Sequence, residues 1–278
     1  MIRKEKFLDV FAPDKTNIIL GAKGSGKTNF ASVLMESFVA YGYEVWTNIH
    51  FFDYENVGIA INKHKLKRGV DYKKKPPEIH VVSSLYEMLC GLTKEGKKVV
   101  ILDEAGIHAS SSQSMSKGTT ALKQLAYIIR HFDCCMILIT QTSGSIPPDL
   151  REKLIDYRIK IYRQRRKAEF GERSVAQDEY GNDYINFPTV KTFSNIPHSV
   201  YPYDSHFPTG FEIDIDLKNA LAALSKLKSS VEVEQHGREM LEELTSQAVK
   251  AKKQAKSQVR DSSGRFLPMD SPITKILK

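Results

Sequence analysis

An α/β fold, with a parallel sheet covered by helices on both faces, is what the sequence predicts. Three observations predict it. Short apolar runs alternate along the chain with stretches of helical periodicity. A glycine-rich turn, Gly21-Ala22-Lys23-Gly24-Ser25-Gly26-Lys27-Thr28, lies between one such run and one such stretch. A second apolar run, Val99-Val100-Ile101-Leu102, stops abruptly in Asp103-Glu104. Strands that read as unbroken apolar runs are buried on both faces, and parallel strands need the crossover helices that supply this cover.

The elements follow in order. Residues 17–20 read as a buried strand that runs into the glycine-rich turn. Residues 28–41 carry Phe30, Val33, Leu34 and Phe38 at helical spacing. Glu44–Thr47 is a second short strand and residues 79–82 a third. A helix is expected over Leu85–Leu92 and a fully buried strand over residues 98–103. Residues 120–131 place Leu122, Leu125, Ile128 and Ile129 on one helical face. Cys134–Thr140 is another buried strand. Residues 156–162 alternate, with Tyr157, Ile159 and Ile161 sharing a side. Beyond Lys167 the pattern changes. Gly171 and Tyr180-Gly181-Asn182 are turn signals between short alternating runs, so residues 170–196 predict a β-hairpin or small meander. Residues 198–210, rich in Pro and Tyr, predict an ordered wrap. Leu217, Leu221, Leu224 and Val231 read as one helix, and Met240, Leu241 and Leu244 as another after Gly237. Residues 250–278 are polar and are expected to be partly disordered. The chain thus divides into an α/β domain over residues 1–210 and a helical appendage with a flexible basic tail over 211–278.

Composition bounds the function classes. The chain has 278 residues, with 41 Lys+Arg against 33 Asp+Glu, for a net charge of +8. That length buries a full core without disulfide or metal staples. The three cysteines, Cys90, Cys134 and Cys135, make no disulfide framework and read as buried thiols in a reducing compartment. No apolar run reaches the roughly 18–20 residues that a membrane-spanning helix needs. The first residues, MIRKEKFLDVFAPDK, lack the apolar core of a signal peptide. The expectation is a soluble cytoplasmic protein, in a host's cytoplasm if viral, peripheral to a membrane or virion at most. The modest basic excess hints at a polyanionic partner.

The glycine-rich turn is a full match to G-x-x-x-x-G-K-[S/T] in its proper context, strand before and helix after. Gly21, Gly24 and Gly26 let the backbone curl, so that consecutive N–H groups, including that of Ser25, point at phosphate oxygens. The following helix adds its N-terminal partial positive charge. Lys27 places an ammonium on the β- and γ-phosphates of ATP, and the Thr28 hydroxyl binds Mg2+. Lys23, at a variable position of the loop, reads as a solvated charge more than a catalytic one, and Asn29 follows on the helix. All of these are counted with the nucleotide-binding loop.

A buried strand that stops in two acids places both carboxylates beside that loop. Asp103 is expected to hold Mg2+, and Glu104 to act as general base on the attacking water. The run Met136-Ile137-Leu138-Ile139-Thr140-Gln141 is a second buried strand with a polar end. Gln141 there can donate to the γ-phosphate and accept from the lytic water, a position that senses hydrolysis.

The order GAKGSGKT, VVILDEAG, IIRHFDCCMILITQ resembles the FtsK/HerA superfamily of P-loop ATPases. Within it the chain is similar to the zonula-occludens-toxin and filamentous-phage-assembly branch, and to viral genome-packaging ATPases. Trp46-Thr47-Asn48-Ile49, Arg130-His131 before the sensor strand, and Tyr203-Asp204-Ser205 resemble markers of that branch. The resemblance covers roughly residues 15–210. It implies a RecA-like core of the ASCE type, with an extra strand between the phosphate-loop strand and the acidic strand. It also implies ring homo-oligomers, usually hexamers, with ATP between subunits and an arginine reaching the neighbour's γ-phosphate. Arg130 matches that position; the plainer reading is a cation favoured at a helix C-terminus. The toxin and phage-assembly proteins typically carry a membrane span after the ATPase domain, whereas the chain beyond residue 210 is charged and helical.

Three stretches concentrate positive charge: residues 63–75, 151–167 and 250–265. Each could contribute salt-dependent, sequence-independent contacts to DNA phosphates, and each could equally be a solvated face. A Ser/Thr/Gly-rich stretch over residues 109–120 is expected as a mobile loop facing a ring's pore. The leading expectation is an ATP-hydrolysing motor that moves double-stranded DNA, encoded by a virus or mobile element. The alternatives are an ATPase that powers particle assembly or export with a separate membrane partner, and a nucleotide-gated module docking a capsid or membrane partner through the C-terminal helices.

Overall fold

The computed structural model describes residues 10–52, 67, 69–92, 96–104, 125–126, 129–132, 134–146, 148–162 and 166–204. The expected appendage over 211–278, the third basic stretch and the loop over 109–120 lie outside these residues.

Strand β1, Thr16–Leu20, is buried at every position, its polar Thr16 and Asn17 included. It leads through the glycine-rich turn into α1, Lys27–Ala40. Strand β2, Glu44–Thr47, β3, Ile79–Val81, and helix α2, Leu85–Leu92, follow. Strand β4, Lys98–Leu102, is wholly buried, and Asp103 stands just past its end. Of the expected helix over 120–131, Leu125 and Ala126 are helical and buried, and Ile129–Phe132 tightens into a 3-10 turn. Strand β5, Cys134–Thr140, is buried along its whole length. Helix α3, Pro148–Lys153, precedes β6, Tyr157–Tyr162, whose inner side carries Tyr157, Ile159 and Ile161.

These strands form one sheet in the order β6-β1-β5-β4-β2-β3, with every neighbouring pair parallel. Strand β5 therefore lies between the phosphate-loop strand β1 and the acidic strand β4, as the resemblance implies. The fold is a RecA-like P-loop core. Parallel pairing brings the C-terminal ends of β1, β4 and β5 to one edge of the sheet, which is what collects the site.

The hairpin or meander expected over residues 170–196 is present, and part of it joins the main sheet. Strand β7, Lys167–Glu172, pairs antiparallel with β6, and β10, Thr189–Phe193, pairs antiparallel with β7, so both extend the main sheet to eight strands. The reason is the short link between Tyr162 and Lys167, which permits an antiparallel return but no crossover. The separate two-stranded unit is β8, Ser174–Gln177, with β9, Asp183–Asn186. Its turn is set by Asp178, whose Oδ1 accepts the N–H groups of Tyr180 and Asn182 while Gly181 takes φ 81°.

Two apolar layers sandwich the sheet. Phe30, Leu34 and Phe38 of α1 pack with Ile19, Val45, Ile137 and Ile159 on one face. Met88, Leu89 and Leu92 of α2 pack with Ile18, Val100, Met136 and Leu138 on the other. Cys134 and Cys135 point to opposite layers as buried thiols. No helix among the described residues is long and apolar enough to cross a membrane.

Candidate active site

The glycine-rich turn has the backbone that its sequence demands. Gly24 and Gly26 adopt φ 71° and 95°, where a side chain is disfavoured. Gly21 is needed for a different reason: a Cβ there would stand 2.5 Å from Ser25 Oγ and 3.1 Å from the Ile161 carbonyl oxygen. Ser25 is buried and its Oγ has no hydrogen-bond partner among the described residues. An orphaned hydroxyl inside a loop of this curvature fits a phosphate oxygen as its missing partner.

Lys27 opens α1 and folds back over the loop, its Nζ donating to the carbonyls of Gly21 at 2.8 Å and Ala22 at 3.1 Å. Burial pulls its pKa below the usual lysine range, against the attraction of Asp103 and Glu104. An ammonium held by two carbonyls, and partly desolvated, is poised to exchange them for a polyanion. Lys23 is exposed on the outer turn of the loop, in keeping with a solvated charge.

The two motifs meet directly. The Thr28 hydroxyl donates to Asp103 Oδ2 at 2.9 Å. Asp103 is 6 % exposed, and burial pushes its carboxyl above the usual aspartate range despite the hydrogen bonds from Thr28 and the Glu104 N–H. Its Oδ1 accepts that Glu104 N–H at 2.8 Å. Glu104 is exposed and adopts φ 55°, a left-handed conformation that costs a non-glycine residue about 1 kcal/mol. The chain reverses there, immediately after the buried Asp103 carboxylate. Thr28 and Asp103 are the hard oxygen donors that suit Mg2+. Gln141 follows β5 and is exposed at the same sheet edge.

Arg130 lies in the 3-10 turn before β5, at the opposite end of that strand from Gln141. Seven residues of strand separate the two edges, a span of roughly 23 Å at about 3.3 Å per residue. Arg130 is therefore remote from the phosphate loop of its own chain. Asn29, grouped with the loop on sequence, has its side chain committed elsewhere. Its Nδ2 donates to the Pro197 carbonyl at 2.8 Å and its Oδ1 accepts the Ser199 N–H at 3.1 Å.

That contact belongs to a wrap that sequence located without assigning it contacts. Residues 197–204 run along α1 and then pair with residues 50–52, through Phe52 N–H to Pro202 and Asp204 N–H to His50. Tyr203 arrives near the acid site, and its phenol is pushed up to about 12 by burial, with Tyr72 and the Asp103 carboxylate adding to the shift. Asn48, singled out only as part of a marker segment, turns out to grip the Asp103 backbone; its Oδ1 accepts the Asp103 N–H at 2.7 Å.

The basic stretches fare unequally. Arg151 pairs with Glu152, Lys153 with Asp149 and Lys167 with Glu169. Arg166 donates to the Ile196 carbonyl, and Arg158 lies over the Phe187 ring at 4.8 Å. Lys160 is exposed. In the first stretch Lys75 donates to the carbonyls of Pro76 and Ile79.

A family model described as zonular occludens toxin (Zot) matches residues 15–180. No curated protein sequence matches the chain. Among solved structures, the chain is similar to the DNA-packaging ATPase B204 from Sulfolobus turreted icosahedral virus at 17% identity. That alignment covers 64% of this chain and 98% of the other with a TM-score of 0.41. It is also similar to the N-terminal domain of zonular occludens toxin from Neisseria meningitidis at 17% identity, covering 65% and 95% with a TM-score of 0.36.

Proposed function

Because the chain belongs to the zonular occludens toxin family and brings a phosphate loop against an acidic strand end, we propose that it is an ATP-driven motor acting on double-stranded DNA. The observation that carries the ATPase part is the 2.9 Å contact between Thr28 and Asp103, which joins the phosphate loop to the acidic strand end. In this reading ATP lies over the loop, with Lys27 exchanging the Gly21 and Ala22 carbonyls for the β- and γ-phosphates. Thr28 and Asp103 would hold Mg2+, which neutralises developing phosphate charge. Glu104 accepts the proton of the attacking water, and Gln141 contacts the γ-phosphate and reports its loss.

Arg130 acts in trans. Its place at the far sheet edge removes it from its own site, so a ring in which that edge meets a neighbour's loop gives it a role. A guanidinium delivered by a neighbour neutralises transition-state charge and couples hydrolysis to assembly. A ring of FtsK/HerA type, usually a hexamer, supplies such an arrangement. Adding Arg130→Ala subunits to parent protein should then depress activity more steeply than simple dilution does.

A second reading, an ATPase that powers particle assembly or export with a separate membrane partner, is favoured by one observation. Most described cations of the stretch from Arg151 to Lys167 are already engaged within the chain. The experiment that separates the two is the ATPase rate with and without long double-stranded DNA, alongside the native mass. Stimulation that fades steeply with salt supports the DNA motor. Robust hydrolysis indifferent to DNA favours assembly or export.

A further inference from the structure

Strand β2 pairs with β4 as far as Thr47 against Ile101. Beyond that pair the strands part, and a side chain takes over from the backbone. Asn48 Oδ1 accepts the Asp103 N–H at 2.7 Å, and Asn48 Nδ2 donates to the Asp103 carbonyl at 3.0 Å. A carboxamide carries the same donor and acceptor as a peptide group, so it can stand in for one more rung of the ladder. Asn48 is 1% exposed, so this grip is made without competition from water.

The consequence is that Asp103 is held at every polar atom. Asn48 takes its N–H and carbonyl, Thr28 its Oδ2, and the Glu104 N–H its Oδ1. The next residue reverses at φ 55°, so β4 must be kept straight up to Asp103 and released immediately after it. Asn48 is the group placed to do that. A shorter side chain would leave a buried N–H and carbonyl unpaired at the point where the carboxylate is aimed. An aspartate would keep one acceptor but turn a second oxygen toward the Asp103 carbonyl.

We infer that Asn48 is a positioning residue that sets the aim of the Asp103 carboxylate toward Thr28, and thereby the affinity of the site for its divalent cation. The inference rests on the ATPase reading. Outer partners of metal ligands act in this way, orienting a group that itself does the binding.

The test compares Asn48→Asp and Asn48→Ser with the parent, using a fluorescent ATP analogue titrated in EDTA and then in rising Mg2+. Gly171→Ala, which crowds the Phe187 carbonyl beside β7, with four strands of the sheet between β7 and β2, serves as a control for general loss of stability. Expected is an analogue affinity in EDTA within about threefold of parent, with half-saturating Mg2+ raised about tenfold or more. In turnover, kcat should fall more than KM for ATP rises. The control should lower the melting temperature without moving half-saturating Mg2+. Half-saturating Mg2+ within about twofold of parent in either folded variant overturns the inference. So does an equal loss of affinity with and without Mg2+, which would make Asn48 a plug for buried backbone. Failure of the parent itself to bind the analogue strikes the ATPase reading instead.

Discussion

Glu36, on α1, accepts two hydrogen bonds from the wrap: Ser199 Oγ at 2.8 Å and the Val200 N–H at 2.9 Å. The two residues are 163 positions apart, yet this contact ties the phosphate-loop helix to the segment that leads to Tyr203. About two turns earlier on the same helix, Asn29 grips Pro197 and Ser199. The wrap is therefore bolted to the helix that presents Thr28. Glu36→Ala is expected to cost about 2 kcal/mol, since hydrogen bonds to a charged acceptor are worth about 1.5–3 kcal/mol each. Urea unfolding would measure the loss, and amide exchange should rise first over residues 197–204. Unchanged exchange there would show that the wrap is held by its apolar contacts alone.

Glu104 is exposed beside a buried Asp103, so the two adjacent acids have different environments and different work. Glu104→Gln should retain ATP binding and lose about 10²- to 10⁴-fold in turnover, the span expected when a general base is removed. Lys27→Ala should instead weaken binding itself. Nucleotide affinity and single-turnover rate, measured on both variants, separate the two roles. Normal turnover by Glu104→Gln would remove it as the base.

The Asp103 carboxyl is raised mainly by burial, and the sign of the pH dependence follows. Between the ordinary aspartate value, about 3.9, and the raised folded value, the folded chain binds more protons than the unfolded one. Stability contributed by this group is present at low pH and is lost as pH rises through the folded pKa. Asp103→Asn abolishes that loss. The melting temperature of the variant minus that of the parent should therefore become more positive from pH 4 toward neutrality. A difference that stays flat or falls would contradict the assignment. Mg2+ binding has the opposite sense, because it requires the ionised carboxylate.

Gly91 on α2 lies against Trp46, and a Cβ at that position would stand 2.3 Å from the indole ring. Trp46 is stacked on His80 with ring centroids 4.2 Å apart, which limits its retreat. Gly91→Ala should gain helix propensity yet lose stability overall, by about 1–3 kcal/mol, as overpacked cores do. Chemical denaturation measures the balance. A net gain would mean that the Trp46 ring can move.

Periodicity and one contiguous motif determined much of this protein. Ile18-Ile19-Leu20 of β1, Val99-Val100-Ile101-Leu102 of β4 and Met136-Ile137-Leu138-Ile139 of β5 are buried throughout because each is an unbroken apolar run, and the loop from Gly21 to Thr28 carries its own geometry in its glycines. Local chemistry of that kind is written in adjacent residues, so it can be read before any fold is known. What the tertiary structure alone decided is which distant groups meet. Short alternating runs were legible over residues 170–196, but the joining of β7 and β10 to the main sheet depends on a chain reversal that alternation does not encode. Asn29 stood next to the loop in sequence and turned out to hold Pro197 and Ser199. Asn48 stood 55 residues from Asp103 and turned out to hold its backbone. A polar side chain finds its partner only when the strands around it are paired, because hydrogen bonds are directional and short in reach, whereas apolar burial is neither.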